Sequence, residues 1–346
     1  MRRSGGARIL GMLVVTATLA ACSGSEPADP AARVAELVES ARTAAGQEHQ
    51  FLFGQVCGGP IEAIGAEPVT GAVPGALPNT DPDRGDWYTA PVQVFDDLFY
   101  LGQTRYAVWG LRTSEGIILF DAIFDYSVEA EVIDGLQELG IDPAEIRFAV
   151  ISHAHGDHVG GAGILQQYGA RIVMGEADWD MYENSDAGYL KATRDIVATD
   201  GMEIELGDHV VRTYLTPGHT HGTISSIFTV HDHGEPHVVA LWGGTLFNFR
   251  DSPEDPRRDR LVDYEQSARH FREVASEAGA DIILSNHPPY DGSTVKIPML
   301  AERATGDPHP YVLGADAVGR FLTVAEECAV ATRIAENELP MAESGA

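Results

Sequence analysis

The sequence predicts an α/β fold in which two sheets are faced by helices. Two observations predict it. Strand-length apolar runs alternate with amphipathic helical stretches through most of the chain. This alternation hints at two similar halves, although no internal repeat is apparent. Polar clusters recur where apolar runs end, at 153–158, 218–221, 243–248 and 286–291, as expected when loops at strand ends carry a site.

Residues 1–21 stand apart from this fold. Arg2, Arg3 and Arg8 precede an apolar run from Ile9 to Ala21, which is too short to span a bilayer and reads as a secretory signal. It closes on Leu19-Ala20-Ala21-Cys22, which resembles the bacterial lipobox. That resemblance implies cleavage before Cys22 and a lipid anchor on it, giving an exported, membrane-attached protein at the periplasm or cell surface. Residues 22–86 read as a tether. "ARVAELVESARTAA" places Val34, Leu37 and Val38 on one face of a short helix, and "EPVTGAVPGALPNTDPDRGD" is too rich in Pro and Gly to hold a regular element.

The main folded unit is expected over 87–346. "VQVFDDLFYLG", "YAVWGLRT" and "GIILFD" form a strand meander, and "SVEAEVIDGLQELG" is an amphipathic helix closed by Gly140. "RFAVISH" is a buried strand that delivers His153; "GAGILQQYG" is a helix and "ARIVMG" the next strand. Four strands follow in "MEIELGD", "HVVRTYLTPGH", "ISSIFTVHD" and "HVVALWGG". "YEQSARHFREVASEAG" is a helix, "ADIILSNH" a buried strand, and "GADAVGRFLTVAEECAVATRIA" a closing helix.

Composition narrows the partners. The chain has 346 residues, 44% of them hydrophobic, enough for a large core. Its net charge is −29, and loss of a leader holding three arginines and no acids takes this to about −32. Lys191 and Lys296 are the sole lysines. Phosphate backbones and anionic headgroups repel such a chain, so nucleic acid is disfavoured as a partner and a small molecule is the expected substrate. With Cys22 lipidated, Cys57 and Cys328 remain. An oxidising compartment permits a bridge between them, but spacing leaves a disulfide and two isolated thiols equally open.

The chemistry concentrates in "ISHAHGDHVGG", residues 151–161. Imidazole and carboxylate are ligands that zinc accepts. A turning backbone aims His153 and His155 at one ion, while Asp157 and His158 face a neighbouring one. Gly156 permits the turn, and Gly160-Gly161 lets the next helix approach closely. The competing reading, a polar loop with Asp157 merely capping a helix, accounts poorly for three histidines after an apolar strand.

This motif resembles that of the metallo-β-lactamase superfamily, and the resemblance runs over roughly residues 92–333. It implies a four-layer αββα sandwich. "TPGHTHG" resembles the next metal loop, contributing His219, and "LSNHPPYD" the last, contributing His287. The resemblance assigns His153, His155 and His219 to one Zn²⁺ and Asp157, His158 and His287 to a second. One departure stands out. Lactonase- and glyoxalase-type relatives carry Gly-Asp-Thr where this chain has Gly243-Gly244-Thr245, so the bridging Asp is absent. That absence, with Asp-His-His on the second metal and a similar C-terminal segment, resembles subclass B3 enzymes. The implied function is hydrolysis of a carbonyl substrate by a metal-bound hydroxide, with a β-lactam amide favoured. Hydrolysis of a lactone, thioester or other ester is the alternative, and a non-catalytic metal-binding lipoprotein a third reading. Asp157 would orient the water and assist proton transfer. No "GxSxG" points to a serine nucleophile, and Ser152 is read as structural.

Other polar residues are read more weakly. Asp121 either orients a ligating histidine or caps a turn. Thr245, Asn248 and His221 are candidate substrate contacts, with Arg250 as a candidate ion-pair partner; His221 reads more readily as a solvated loop residue. "HDHGEPH", with His231, His233 and His237, reads as an exposed hairpin tip and not a third metal site. Trp179 and Tyr182 are read as a flap over the cleft, with core packing as the alternative for Trp179.

Overall fold

The computed structural model describes residue 1, residues 29–66, 84–249 and 251–339. The leader, Cys22, Arg250 and most of "EPVTGAVPGALPNTDPDRGD" lie outside the described residues. Three helices come first: α1 (Pro30–Ala45), α2 (Gln50–Val56) and α3 (Gly58–Ala63), then a turn of helix, α4 (Arg84–Trp87). The meander follows as β1 (Val92–Gln93), β2 (Leu98–Tyr100), β3 (Trp109–Thr113) and β4 (Gly116–Phe120). The expected helix over 127–140 begins as a π-turn at Glu129–Ile133 and continues as α5 (Asp134–Glu138). Next come β5 (Ile146–Val150), α6 (Gly156–Val159), α7 (Ala162–Gln167), β6 (Arg171–Gly175), α8 (Glu176–Asn184) and β7 (Ile196–Ala198). The second half holds β8 (Met202–Leu206), β9 (His209–Leu215), β10 (Ile224–Asp232), β11 (Glu235–Trp242), α9 (Arg257–Glu277) and β12 (Ile282–Ser285). The described chain closes with α10 (Pro288–Asp291), α11 (Ser293–Glu302) and α12 (Ala315–Glu338).

Strands β1 to β7 form one sheet in sequence order, and the second sheet runs β12-β11-β10-β9-β8. In the first sheet β1–β4 pair antiparallel, while β4 through β7 pair parallel across helical crossovers. The sheets pack face to face through side chains that alternate inward. Leu98, Tyr100, Leu111, Ile118, Phe120 and Val150 of one meet Ile224, Phe228, Val230, Val239, Leu241 and Leu284 of the other. Phe120 stacks on Phe228 at 4.4 Å between centroids. Each outer face takes its own helical layer: α5 to α8 on the first sheet, and α9 and α12 with the N-terminal helices on the second. The four layers are the αββα sandwich that the family resemblance implies.

The tether expected over 22–86 is corrected for its described part. Val34, Val38, Leu52, Phe53, Val56 and Ile61 are buried against α9 and α12. Each such side chain contributes roughly 1.5–3 kcal/mol, far more than a solvated linker would retain. A disulfide fixes the arm as well: Cys57 is bonded to Cys328 of α12, with Cα atoms 4.9 Å apart. Sequence pattern failed here because the partner of this apolar face lies some 270 residues away. Trp179 and Tyr182 are likewise core residues of α8 and not a flap; both are fully buried, the indole N–H donating to Ile196 O (2.8 Å) and the phenol accepting from Ala192 N (2.7 Å). Among the described residues, no helix is long and apolar enough to cross a membrane.

Glu131 in the π-turn is buried. Its Oε1 accepts from Thr89 N (3.2 Å), but Oε2 has no partner, and burial pushes its pKa up to about 8. Between the unfolded value of 4.5 and about 8 the folded chain holds the extra proton. This residue therefore removes stability as pH rises through that window, at up to about 1.4 kcal/mol per pH unit. Glu131→Gln is expected to flatten the decline, raising the melting temperature at pH 8.5 relative to wild type while leaving it nearly unchanged at pH 4.5. A parallel pH dependence in the two proteins would refute the assignment. Separately, Cys57→Ser/Cys328→Ser is expected to destabilise by about 2–4 kcal/mol in denaturant titrations, with the fold retained by the apolar face of α1.

Candidate metal centre

Strand β5 ends at Val150, and the chain turns through Ser152 into the short helix α6, so the loop residues project from one rim of the sandwich. The turn is held from below. Asp121, at the end of β4, accepts from Ser152 N (2.7 Å), Ser152 Oγ (3.0 Å) and His158 Nδ1 (2.7 Å). It does so at φ 67°, a strained conformation for a non-glycine residue that these three bonds hold in place. Of the two roles read for Asp121, orienting a histidine is the one observed. Gly161 permits the close approach its sequence position suggests: a Cβ there would lie 2.3 Å from Ala122 O.

Two groups of side chains converge at this rim: His153, His155 and His219, and beside them Asp157, His158 and His287. These are the six residues assigned from the motifs. In the first group His219 Nε2 lies 3.0 Å from His153 Nε2 and 3.1 Å from His155 Nδ1. The edge of a tetrahedron with ligands roughly 2.0–2.1 Å from its centre is about 3.3 Å, so the spacing suits three ligands on one ion. The outer ring nitrogens show how the rings are set. His153 Nδ1 faces Gly243 O (3.0 Å), His219 Nδ1 faces Leu246 O (2.7 Å), His287 Nδ1 faces Arg105 O (3.0 Å), and His158 Nδ1 faces Asp121. Carbonyl and carboxylate oxygens only accept, so these nitrogens carry the protons and the Nε2 lone pairs turn inward.

His158 supplies the sharpest test of fit. Its Nε2 is buried without a hydrogen-bond partner, although Asp157 Oδ2 lies 3.1 Å away. The two atoms approach at an angle unsuited to donor and acceptor but natural for two ligands facing a common ion. Imidazole and carboxylate donors of this kind suit zinc. The electrostatics agree. Burial, then the neighbouring rings, hold His153 well below its usual range, and His219 and His287 near 3 and 4, so these rings are neutral and free to ligate at neutral pH. Burial also opposes charge on His158, but Asp157 and Asp121 outweigh it and raise that ring to about 10. Burial would raise Asp157 too, yet the His158 charge holds it well below the usual carboxylate range. The second group thus carries a proton in the position a cation would take.

Residues that local sequence did not mark complete the support. Asp178 of α8 is buried and accepts from Ala154 N (2.8 Å), Thr220 Oγ1 (2.7 Å) and Gly222 N (2.8 Å), tying the first histidine loop to the loop of His219. Arg260 of α9 donates to Gly218 O (2.7 Å) and His219 O (2.6 Å). Asn286 Nδ2 donates to Ser152 Oγ (3.0 Å) and Gly243 O (2.7 Å). Asn286, beside His287, was visible as part of a polar cluster. Asp178 and Arg260 had no such signal.

The candidate substrate contacts fare differently. Thr245 is buried, its carbonyl accepting from Tyr264 Oη (2.8 Å), so it is withdrawn as a substrate contact. Asn248 is exposed. His221 is half-exposed and paired with Asp255 at 3.1 Å, which leaves it a solvated loop residue with a partner. The hairpin turn expected in "HDHGEPH" is present, with Asp232 opposite Glu235. His233 is the most exposed of the three, 3.9 Å from Asp232, while His231 turns to Asp97 and His237 to Asp281, both at 2.6 Å.

Comparison with known proteins agrees with this geometry. Residues 103–233 match the model of the metallo-β-lactamase superfamily. A probable polyketide biosynthesis zinc-dependent hydrolase, BaeB of Bacillus velezensis, is 33% identical over 29% of this chain and 41% of its own. The N-acyl homoserine lactonase AttM of Rhizobium johnstonii is 26% identical over 47% of this chain and 66% of its own. The chain thus spans less than two thirds of these relatives' length. Among solved structures, BJP-1 of Bradyrhizobium japonicum, a subclass B3 metallo-β-lactamase, superposes with a TM-score of 0.60 and 27% identity, covering 70% of this chain and 94% of its own. The superfamily resemblance stands on both kinds of match, and the likeness to subclass B3 enzymes on the structural one.

Gly244 decides whether a bridging carboxylate has room. A Cβ at that position would sit 2.5 Å from His219 Cβ and 3.1 Å from Thr223 Cγ2. Gly244→Ala is expected to displace His219, lowering zinc content measured by mass spectrometry and costing about 1–3 kcal/mol in unfolding titrations. Full zinc retention in a folded Gly244→Ala protein would show that the packing is looser than described.

Proposed function

We propose that this chain, with its metallo-β-lactamase fold, is an exported dizinc hydrolase whose preferred substrate is a β-lactam amide. Gly244 carries the reading. The packing of His219 against that glycine leaves no space for the carboxylate that lactonase- and glyoxalase-type relatives place there, while Asp157, His158 and His287 supply a second group without it. Support also comes from the likeness to BJP-1 over nearly the whole of that enzyme. Two zinc ions in these groups would polarise a carbonyl and make a water acidic enough to attack at neutral pH.

The chain's own residues do the rest. His153 and His219 are held by Gly243 O and Leu246 O, so their ring positions are set before substrate arrives. Asp157 belongs to the second group, 3.1 Å from His158 Nε2 and 3.8 Å from His287 Nε2. Its carboxylate orients the attacking water and takes up the proton released as the carbonyl carbon is attacked. Tyr106, its ring centroid 5.3 Å from that of His287 and tilted 59° to it, lies at the edge of the site and offers an apolar surface to a substrate ring. Lipid attachment at Cys22, placing the enzyme at the periplasm or cell surface, belongs to the same proposal. It suits a role in intercepting antibiotics before they reach the cell-wall enzymes.

The match to AttM favours lactone hydrolysis as the second reading. A hydrolysis panel separates the two. Zinc-loaded protein is expected to turn over a carbapenem and a chromogenic cephalosporin, with activity abolished by a chelator and restored by zinc. Intact β-lactams beside rapid turnover of an acyl lactone or thioester would transfer the assignment to the second reading. Inertness toward the whole panel would refute both.

A further inference from the structure

A third cluster of ligand-type side chains lies at the far end of the sandwich. Strand β10 runs from Ile224, whose N–H donates to Ser152 O at the metal centre, to His231, seven residues and about 23 Å away. There Asp97, in the turn between β1 and β2, meets His231 and His209 of the other sheet. Asp97 Oδ2 lies 2.6 Å from His231 Nδ1 and 3.0 Å from His209 Nε2.

The arrangement around His209 is unusual. Its Nε2 faces Asp97 and its Nδ1 faces Asp208 Oδ1, each at 3.0 Å. A neutral imidazole has one N–H, so one of these contacts would set a lone pair against a carboxylate. With both carboxylates ionised, the geometry therefore requires a positive charge, either a second proton or a metal ion. The supports around the cluster match those of a ligand set. Asp97 Oδ1 accepts from His231 N (2.9 Å), which turns Oδ2 inward. Asp208 Oδ1 also accepts from Ser114 N (2.8 Å), which fixes it behind His209. The His209 and Asp97 side chains are 6% and 13% exposed, while His231 is 37% exposed, leaving one side open to water. His231 can ligate through Nδ1 by moving its proton to the solvent-facing Nε2, while the second proton of His209 is released to water from Nε2 as the metal takes its place.

We propose that Asp97, His209 and His231 form a third binding site, for a divalent transition metal such as zinc, which clamps the two sheets together away from the catalytic rim. Two imidazoles and a carboxylate with water completing the shell is a donor set zinc takes up readily. Zinc per chain, measured on the full chain by mass spectrometry after dialysis against a metal-buffered solution, tests the idea. His231→Gln and, separately, Asp97→Asn/His231→Gln are expected to bind one equivalent less than wild type, with catalytic turnover unchanged. In a second measurement the rim is disabled by His155→Ala/His287→Ala. Zinc is expected to raise the melting temperature of that protein, and the rise to vanish when His231→Gln is added. Equal zinc content in wild type and His231→Gln would overturn the proposal and leave a doubly protonated His209 as the source of the charge. Because the readout is a difference of one equivalent, it holds whatever number of ions the rim binds. Failure of the hydrolase reading would leave it intact.

Discussion

The carboxylate of Asp121 accepts three hydrogen bonds at the end of β4, and the metal centre depends on that one group. Ser152 N and Ser152 Oγ bring β5 to it, and His158 Nδ1 brings α6. With Asp121 in place, the loop between strand and helix can turn sharply enough for His153, His155, Asp157 and His158 to project from one rim. Without it, a buried serine and a buried imidazole would lose their partner, and burying unpaired polar groups costs about 1–3 kcal/mol each. The positive φ of Asp121 shows what the arrangement demands of the backbone. The remaining supports repeat the pattern at longer range: Asp178 binds the first histidine loop to the loop of His219, and Asn286 binds the last loop to Ser152 and Gly243.

Much of this was legible in the sequence because it is written in local periodicity. Apolar runs of strand length marked most of the strands, and the six-residue span from His153 to His158 marked the centre. His219 and His287 needed the family resemblance, since each is a single histidine after an apolar strand. What escaped has a common physical cause. The apolar face of α1 reads as a weak helix until α12 is known to cover it. Asp178 and Arg260 are ordinary charged residues of helices until their partners across the fold are seen. Trp179 reads as well on a flap as in a core, and only its burial decides. His231 looked like part of an exposed turn because Asp97 and His209 are remote in sequence.

Charge separates the two ends of the sandwich. At the rim of the candidate metal centre three imidazoles are kept neutral by burial and the crowding of their neighbours, with acids held behind or beside them. At the far end acids face imidazoles directly, and the ring of His209 is raised above its ordinary value by Asp97 first, with burial opposing and Asp208 adding to the rise. Residue types are shared between these places, but the chemistry differs. Lone pairs that converge without protons suit ligation, whereas proton-bridged contacts suit cohesion until a metal replaces the proton.

The bond between Cys57 and Cys328 joins helices from opposite ends of the described chain into one layer. During synthesis the first helices must therefore wait, with their apolar face uncovered, until the last helix has emerged. The layer over the second sheet is assembled at the end of folding and sealed by oxidation. Under the proposed export, this order would keep the half-finished protein open during passage through a membrane and let it close where thiols can be oxidised.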